Sequence, residues 1–180
     1  PVVLFLSGVS MVNAAMTTQL ALDRFQIDAI VFSGIAGGVD PSLNIGDVVV
    51  AGQWGSYLES IMARETDGGF AVPPFLDSPF PNYGMIFTSE TTVASDRGQP
   101  ESRFWFPVDE ILLQTARGVA DSTELADCNA ENACLDRTPQ IRVGGNGVSG
   151  SAFVDNAGLR EWIFETFDAQ VVDMESAAVA

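Results

Sequence analysis

A glycine-rich turn after an apolar run is the sequence feature that most constrains the fold. Residues 29–32 read Ala-Ile-Val-Phe, and residues 33–41 read Ser-Gly-Ile-Ala-Gly-Gly-Val-Asp-Pro. A short apolar run that ends in turn residues predicts a buried strand. The glycines predict a turn with an exposed main chain, because glycine accepts positive φ and lets N–H groups approach a ligand. A turn that only reverses the chain fits the spacing equally well.

Strand-like and helix-like segments alternate along the N-terminal part of the chain. Residues 2–6 predict a strand, Ser10 can cap a helix that runs to about Arg24, and residues 28–32 predict a second strand. After the glycine turn, residues 48–51 predict a further strand. This alternation predicts an α/β sheet. The turns that follow the first two predicted strands, at residues 7–9 and 33–38, lack the G-x-G-x-x-G spacing that indicates dinucleotide binding.

The length and the lack of a linker indicate one domain. The chain has 180 residues, of which 47% are hydrophobic, and such a chain buries about 70% of its unfolded surface. It has no internal repeat and no run of the ~18 apolar residues that a membrane helix needs. It opens without Met in a strand-like run and ends in a helix-like run. We therefore expect residues 1–180 to be a single domain that is truncated at both ends.

The charge balance excludes several kinds of chemistry. The 24 acidic residues face 8 arginines, and with no Lys and no His the net charge is −16. This charge argues against nucleic acids and anionic membranes as partners. The lack of His excludes Ser-His-Asp triads and His-bound metals, and the lack of Lys excludes Schiff bases and phosphate-binding P-loops. Carboxylates, hydroxyls, main-chain N–H groups and Arg remain for catalysis.

Two cysteines, Cys128 and Cys134, lie in a polar loop with five residues between them. A disulfide there would contribute roughly 2–3 kcal/mol in the chain-entropy model. It would indicate an oxidising compartment, periplasmic or secreted. Two free thiols in a cytoplasmic loop are the alternative. Two Cys without His make a poor metal site, so no metal is expected.

The segment 52–108 is rich in aromatic residues and prolines and is predicted to be largely irregular, with a short strand at 84–88. So long an irregular segment in a compact domain is usually functional or an oligomer contact. Given the net charge of −16, its aromatic side chains are predicted to fill the core and an interface, since a nucleic-acid stacking platform would repel its ligand.

A second glycine-rich stretch at 142–151 leads into an amphipathic segment. Asp155 can cap a helix there, because apolar residues recur at the spacing i, i+3, i+4 and i+8. These apolar residues are Leu159, Trp162, Ile163 and Phe167.

Two acidic residues, Asp173 and Glu175, flank Met174 where a predicted strand at 170–173 gives way to a predicted helix. Open α/β sheets bind ligands at the carboxyl ends of their strands. A carboxylate accepts two hydrogen bonds at once, which suits the vicinal diol of a ribose, and Met174 offers a polarisable apolar surface to the sugar. An equal alternative is that the carboxylates only cap the helix.

Three motifs in this order resemble those of the nucleoside phosphorylase/nucleosidase family. They are residues 33–39, residues 44–49 and residues 172–178, which read Val-Asp-Met-Glu-Ser-Ala-Ala. The family includes purine nucleoside phosphorylases, uridine phosphorylases and methylthioadenosine/S-adenosylhomocysteine nucleosidases. Residues 144–157 and the two-cysteine loop are most similar to the branch that contains the bark and vegetative storage proteins.

The resemblance implies a three-layer α/β/α fold with a mixed central sheet, phosphorylase/hydrolase-like, and cleavage of the bond between a base and a ribose. It implies that Glu175 is catalytic and holds the ribose hydroxyls, while Met174 packs on the sugar. Phe153 would stack on the base, and the main chain of Val154 would read its edge. The other predicted substrate contacts are Val9 beside the ribose, Ala36 and Gly37 along the nucleoside, and Asp173 at the strand end.

The resemblance allows either water or phosphate as the acceptor. Purine phosphorylases place an Arg and a Ser for phosphate around the first glycine turn, where this sequence has Phe32 and Ile35. This difference favours hydrolysis of a purine nucleoside. Phosphorolysis, with phosphate as co-substrate, is the alternative, and no cofactor is expected in either case.

The resemblance also implies that the general acid and the water-activating Glu or phosphate loop lie outside residues 1–180. A non-catalytic storage or nucleoside-binding protein on the same fold is therefore a further alternative. The expected partners are a small-molecule nucleoside and further copies of the chain, in a homo-oligomer of two, three or six.

Overall fold

The computed structural model describes residues 1–94 and 98–180, which contain three α-helices, thirteen short strands and a 3₁₀ helix. The helices are α1 (Met11–Arg24), α2 (Glu110–Ala120) and α3 (Ala157–Phe167), and the 3₁₀ helix is Ser176–Ala178. The strands are β1 (Gly37–Gly38), β2 (Val48–Val50), β3 (Gln53–Ser56), β4 (Ser60–Met62), β5 (Arg64–Thr66), β6 (Gly69–Ala71), β7 (Ile86–Thr88), β8 (Thr91–Val93), β9 (Glu101–Arg103), β10 (Trp105–Pro107), β11 (Ile141–Val143), β12 (Asn146–Ser149) and β13 (Ala169–Asp173). Residues 95–97, within the segment predicted to be irregular, lie outside the described residues.

A mixed sheet of five strands is the centre of the fold, in the order β1-β13-β12-β3-β10. Strand β12 is parallel to both β13 and β3, whereas β1 and β10 pair antiparallel at the two edges. A further parallel pair joins β2 and β11 outside this sheet. The arrangement confirms the predicted α/β class with a mixed central sheet.

The amphipathic helix α3 covers the central sheet as its sequence pattern predicts. Its residues Trp162, Ile163 and Phe167 are buried and pack with Val148 of β12 in one apolar cluster. Phe104 stacks on Phe167 with ring centroids 5.0 Å apart. Burial of this many large side chains is the main stabilising contribution to the sheet.

The strands predicted at 2–6 and 28–32 are wrong in this structure. Neither run pairs with a strand of the described residues, and the side chains of Leu4 and Val31 are 95% and 83% exposed. An apolar, β-branched run indicates a tendency to be buried, but a strand also needs a neighbour for its main-chain hydrogen bonds. In the described residues these two runs lack that neighbour.

The segment 52–108 is more regular than predicted. Its described residues contain eight short strands, β3 to β10, and most of them form two-stranded antiparallel ladders. Strand β7 falls within the predicted strand at 84–88. Phe80 and Phe104 pack into the core, as predicted for these aromatic residues.

Two predicted helix caps and one predicted helix differ in the structure. Ser10 makes no side-chain cap at α1, and the cap of α3 is Asn156 rather than Asp155, with the Asn156 Oδ1 accepting from the Leu159 N–H. The helix predicted to begin at Met174 is only the short 3₁₀ helix after Glu175. Asp173 accounts for that difference, because its carboxylate binds the main chain of the turn.

Cys128 and Cys134 form a disulfide, which confirms the predicted pairing over the free thiols. Within the described ranges, no helix is both long enough and apolar enough to cross a membrane.

Candidate functional site

An open cavity of about 490 Å³ lies where four segments meet at one end of the central sheet. The segments are residues 7–9 before α1, residues 32–37 before and into β1, residues 152–154 after β12, and residues 172–175 at the end of β13. The structure thereby brings together all the residues predicted to contact a substrate. These are Val9, Ala36, Gly37, Phe153, Val154, Asp173, Met174 and Glu175.

The glycine-rich turn forms one wall of this cavity, but positive φ is not the reason for its glycines. Gly37 belongs to β1 opposite Val172, where a Cβ atom would lie 3.3 Å from the Val172 Cγ1. By contrast, Gly46, in the turn after this wall, has a positive φ of 92°. Close packing of β1 on β13 therefore explains Gly37, because a side chain would push the wall away from the sheet.

The cavity presents large apolar side chains to its open side. Ile35, Phe153 and Val9 are 98%, 86% and 67% exposed, whereas Met174 is half-buried. A concave surface with apolar walls and a few convergent polar groups is typical of small-molecule sites.

Glu175 is the acidic side chain whose orientation is fixed from two sides. Its Oε1 accepts a hydrogen bond from the Ser10 N–H at 2.6 Å, and its Oε2 accepts one from the Met174 N–H at 3.2 Å. The side chain is half-buried between α1 and the end of β13. Each carboxylate oxygen has room for a second acceptance, so the group can still bind a ligand hydroxyl.

Asp173, two residues earlier, directs its carboxylate to the protein itself. Oδ1 accepts from the Ser149 hydroxyl and the Glu175 N–H, and Oδ2 accepts from the Ser176 hydroxyl. The Ser149 hydroxyl in turn accepts from the Ala177 N–H at 2.9 Å. This network fixes the turn that carries Glu175. A direct substrate contact by Asp173 stays a prediction.

The site also contains three serines that the sequence analysis did not assign to it: Ser10, Ser149 and Ser176. Ser149 and Ser176 bind Asp173, and Ser10 binds Glu175. Ser149 lies opposite Asp173 in the parallel pair of β12 and β13. A serine at the end of a buried strand was the available signal, because a buried hydroxyl needs a partner.

The ionisable side chains in the described part of the site are all acidic. Of the described residues that line the cavity, two are ionisable, Asp173 and Glu175. No group of three or more His, Cys, Asp or Glu in the described ranges could hold a metal ion. The site can therefore accept hydrogen bonds from ligand hydroxyls, and it repels anions.

The loop that follows the glycine-rich wall of the cavity contains Asp40 and Asp47, and it is held by two ion pairs. Arg142 pairs with Asp40, and the Ser42 hydroxyl and N–H donate to the same carboxylate and hold the pKa of Asp40 below its ordinary value. Arg137 pairs with Asp47. Burial raises the pKa of Asp47, but the N–H groups that it accepts from and Arg137 outweigh burial, so this pKa also lies below its ordinary value.

The sequence profile described as the phosphorylase superfamily matches residues 1–180. The match includes every segment that lines the cavity, and it agrees with the mixed sheet. The chain therefore belongs to the phosphorylase superfamily, which confirms the resemblance seen in its motifs.

Curated relatives include both nucleosidases and a storage protein. The chain is 27% identical over 179 residues to a 5'-methylthioadenosine/S-adenosylhomocysteine nucleosidase of Mycobacterium tuberculosis, covering 99% of this chain and 62% of the relative. It is 30% identical to the nucleosidase of the same name from Staphylococcus carnosus, covering 99% and 60%. It is 26% identical to bark storage protein A of Populus deltoides, covering 97% and 57%.

Solved structures share the fold. The 5'-methylthioadenosine/S-adenosylhomocysteine nucleosidase of Neisseria meningitidis, solved with methylthio-immucillin-A, matches with a TM-score of 0.63 and 25% identity over 97% of this chain and 58% of its own. A mutant futalosine hydrolase of Helicobacter pylori matches with a TM-score of 0.64 and 22% identity, over 96% and 60%. The chain thus spans about three-fifths of the length of the relatives it matches.

Proposed function

We propose that the protein to which this chain belongs hydrolyses the N-glycosidic bond of a purine nucleoside. The observation that carries the proposal is the Glu175 carboxylate, fixed in an apolar cavity beside Met174 and Phe153. The relatives named as nucleosidases support the same activity.

Glu175 is proposed to bind the ribose. Its two oxygens each keep an acceptor site beyond the main-chain bonds from Ser10 and Met174. Two adjacent hydroxyls of a ribose can donate to those sites together. A carboxylate that is already oriented binds such a diol with little loss of side-chain freedom, which is the gain from preorganisation.

The same carboxylate would favour the reaction. As the bond between C1' and the base nitrogen breaks, the ribose becomes oxocarbenium-like and positive, as in glycoside hydrolysis. A nearby negative charge and a fixed diol stabilise this transition state more than the ground state. Water then adds to C1' and gives up one proton, and the departing base nitrogen takes up one proton, so that free base and free sugar are formed.

The apolar residues of the cavity are proposed to hold the rest of the nucleoside. Phe153 would stack on the base, the main chain of Val154 would contact the base edge, and Met174 would pack on the sugar. Val9 would lie beside the ribose, and Ala36 and Gly37 along the nucleoside. The high exposure of Phe153, at 86%, supports this role, because its ring face is available to a ligand.

Water is the proposed acceptor rather than phosphate, and the protein would then need no cofactor. Phe32 and Ile35 line the cavity wall, and neither side chain can bind an anion. The ionisable groups of the described lining are the carboxylates of Asp173 and Glu175, which would repel phosphate.

The proposal is tested by incubating the full-length protein with adenosine, inosine and methylthioadenosine, with and without phosphate. We expect free base and free sugar to form without phosphate. Release that requires phosphate would replace hydrolysis by phosphorolysis. Failure to release base from any of the three would contradict the proposed activity.

Glu175→Gln tests the residue that carries the proposal. We expect the base-release rate to fall about 100-fold or more, because the charge that stabilises the transition state is lost. The matched control is Glu165→Gln on the exposed side of α3, which we expect to retain the wild-type rate. Full activity of Glu175→Gln would remove Glu175 from the mechanism.

A second candidate function is nucleoside binding or storage without catalysis. The similarity to bark storage protein A favours it. Calorimetric titration together with the base-release assay distinguishes the two candidates. A storage protein would bind a nucleoside at the Glu175 site and leave its glycosidic bond intact.

We also propose that the protein forms a homo-oligomer and is located in an oxidising compartment, periplasmic or extracellular. The Cys128–Cys134 disulfide supports the location, because such bonds persist where thiols are not kept reduced. Alkylation of the native protein before and after reduction tests the bridge, and sedimentation tests the assembly.

A further inference from the structure

The residue before α1 has a main-chain conformation that is unusual for a serine. Ser10 has φ of 82° and ψ of 152°, a region that is populated almost only by glycine. Side chains are disfavoured there because Cβ crowds the main chain. Such an outlier persists only when surrounding contacts hold it, and its contacts therefore indicate its role.

The contacts of Ser10 lead to the proposed ribose-binding group. Its N–H donates to the Glu175 Oε1 at 2.6 Å, across 165 positions of sequence. Its carbonyl accepts the Ala14 N–H at 3.0 Å, which is the first turn of α1, and its hydroxyl lies 3.3 Å from the Ser151 hydroxyl. One residue thus joins α1, the Glu175 carboxylate and the loop after β12.

We propose that Ser10 is a positioning residue that holds Glu175 in its ribose-binding orientation through its main-chain N–H. The unusual φ of Ser10 turns this N–H toward the carboxylate while the carbonyl begins α1. The positive end of the helix adds a favourable field at the same carboxylate. This inference rests on the proposed function for the identity of the ligand, and the contact itself can be tested separately.

Ser10→Pro tests the proposal as a whole, because proline removes the N–H and also fixes φ at about −65°, so the main-chain conformation that directs this N–H is lost with it. Met11→Pro is its matched control, because Met11 is the first residue of α1, where proline is tolerated, and the ψ of Ser10 suits a residue before proline. With methylthioadenosine as the probe, we expect Ser10→Pro to weaken binding about tenfold or more, as for a lost hydrogen bond to a charged group. Met11→Pro should bind as the wild type does.

Glu175→Ala shows whether the loss acts through Glu175. If it does, Ser10→Pro causes little further loss in the Glu175→Ala background, because contacting groups are not additive. Losses that multiply would overturn the proposal. Ser10→Gly, which accepts the same φ, should keep the affinity of the wild type and raise the melting temperature.

Hydrogen exchange of the Ser10 amide is a measurement that needs no ligand and no proline variant. We expect this amide to be protected in the wild type and to exchange faster in Glu175→Ala, while the Ala14 amide keeps its protection. An unprotected Ser10 amide in the wild type would overturn the contact. Protection that depends on Glu175, in a protein that binds no nucleoside, would support the contact and contradict the proposed function.

Discussion

The two walls of the cavity differ in what holds them in place. The sheet wall consists of the end of β13 and the turn at 173–175, and it pairs with β12, where Val148 and Ser149 are fully buried. The N-terminal wall consists of residues 7–9 and 32–37, where Ile35 is 98% exposed. Both walls are apolar in sequence, but strand pairing and the Asp173 network fix the first, whereas among the described residues the second is paired to a strand at β1 alone.

Because of this difference, the group proposed to act on the substrate and most of the apolar surface proposed to enclose it lie on different walls. Glu175, the group proposed to act on the ribose, lies on the wall that the sheet and its hydrogen bonds fix. The N-terminal wall contributes apolar surface, and Ser10, which directly follows its residues 7–9, donates its N–H to Glu175. A catalytic carboxylate needs a fixed position, while an apolar surface tolerates variation in the shape it encloses.

The largest expected effect is the difference in stability loss when an isoleucine is replaced by alanine beneath the sheet wall and on the N-terminal wall. Ile163→Ala removes a fully buried side chain beneath β13, and we expect a loss of about 2–5 kcal/mol in the free energy of unfolding. Ile35→Ala on the N-terminal wall should change it by less than about 0.5 kcal/mol, because its side chain is exposed. Urea denaturation of the full-length protein measures both.

The Ile35 result also tests the contrast itself. A loss at Ile35→Ala as large as that at Ile163→Ala would mean that the longer protein or its oligomer covers the N-terminal wall. The difference in exposure between the two walls would then hold for residues 1–180 taken alone and not for the full-length protein.

Asp173→Asn is expected to have the next largest effect, because it breaks the network of the sheet wall. An amide nitrogen cannot accept from the Ser149 or Ser176 hydroxyl, so we expect about 2–3 kcal/mol lower stability. Binding of methylthioadenosine should weaken about 10-fold as the Glu175 turn loosens. Asp168→Asn is the control, because this exposed residue has φ of 47°, which Asn accepts.

The role of Asp173 is decided by combining its variant with Glu175→Ala. If Asp173 only holds the turn, the double variant binds no worse than Glu175→Ala. A direct bond from Asp173 to the ribose would instead make the two losses add, and it would return Asp173 to the substrate contacts predicted from the sequence.

The local elements of the sheet wall were predictable from sequence. Helix α3 and strand β13 follow from apolar spacing alone, because each buries one recurring set of side chains. The position of Glu175 after a strand was also predictable, whereas its role in binding a substrate stays a prediction. The strands predicted at 2–6 and 28–32 failed, because strand formation depends on a neighbour that local pattern does not specify.

The contacts that orient the acidic residues were not predictable. Ser149 reaches Asp173 across 24 positions and Ser10 reaches Glu175 across 165, so the pairings follow only from the fold. The conformation of Ser10 was also hidden, since serine before a helix normally predicts a side-chain cap. Pattern therefore indicated which residues converge, and the tertiary structure determined which of them bind each other.

The smallest expected effect is on the stability of the protein at acidic pH, and it involves Asp47 in the loop that follows the N-terminal wall. The pKa of Asp47 is below its ordinary value of 3.8 in the folded protein, so its ion pair with Arg137 stabilises the fold fully above that value. The contribution is lost as pH falls from about 5 through the lower folded pKa. Asp47→Asn should reduce stability at pH 7 by about 1 kcal/mol, because the amide oxygen can still accept part of the hydrogen bonds of the carboxylate, while the charge-assisted bond from Arg137 is weakened. It should also reduce the pH dependence of urea unfolding between about pH 5 and pH 3, while Asp67→Asn on the exposed β5–β6 hairpin leaves it unchanged. An unaltered acid profile in Asp47→Asn would mean that the Asp47 carboxylate contributes little to holding this loop.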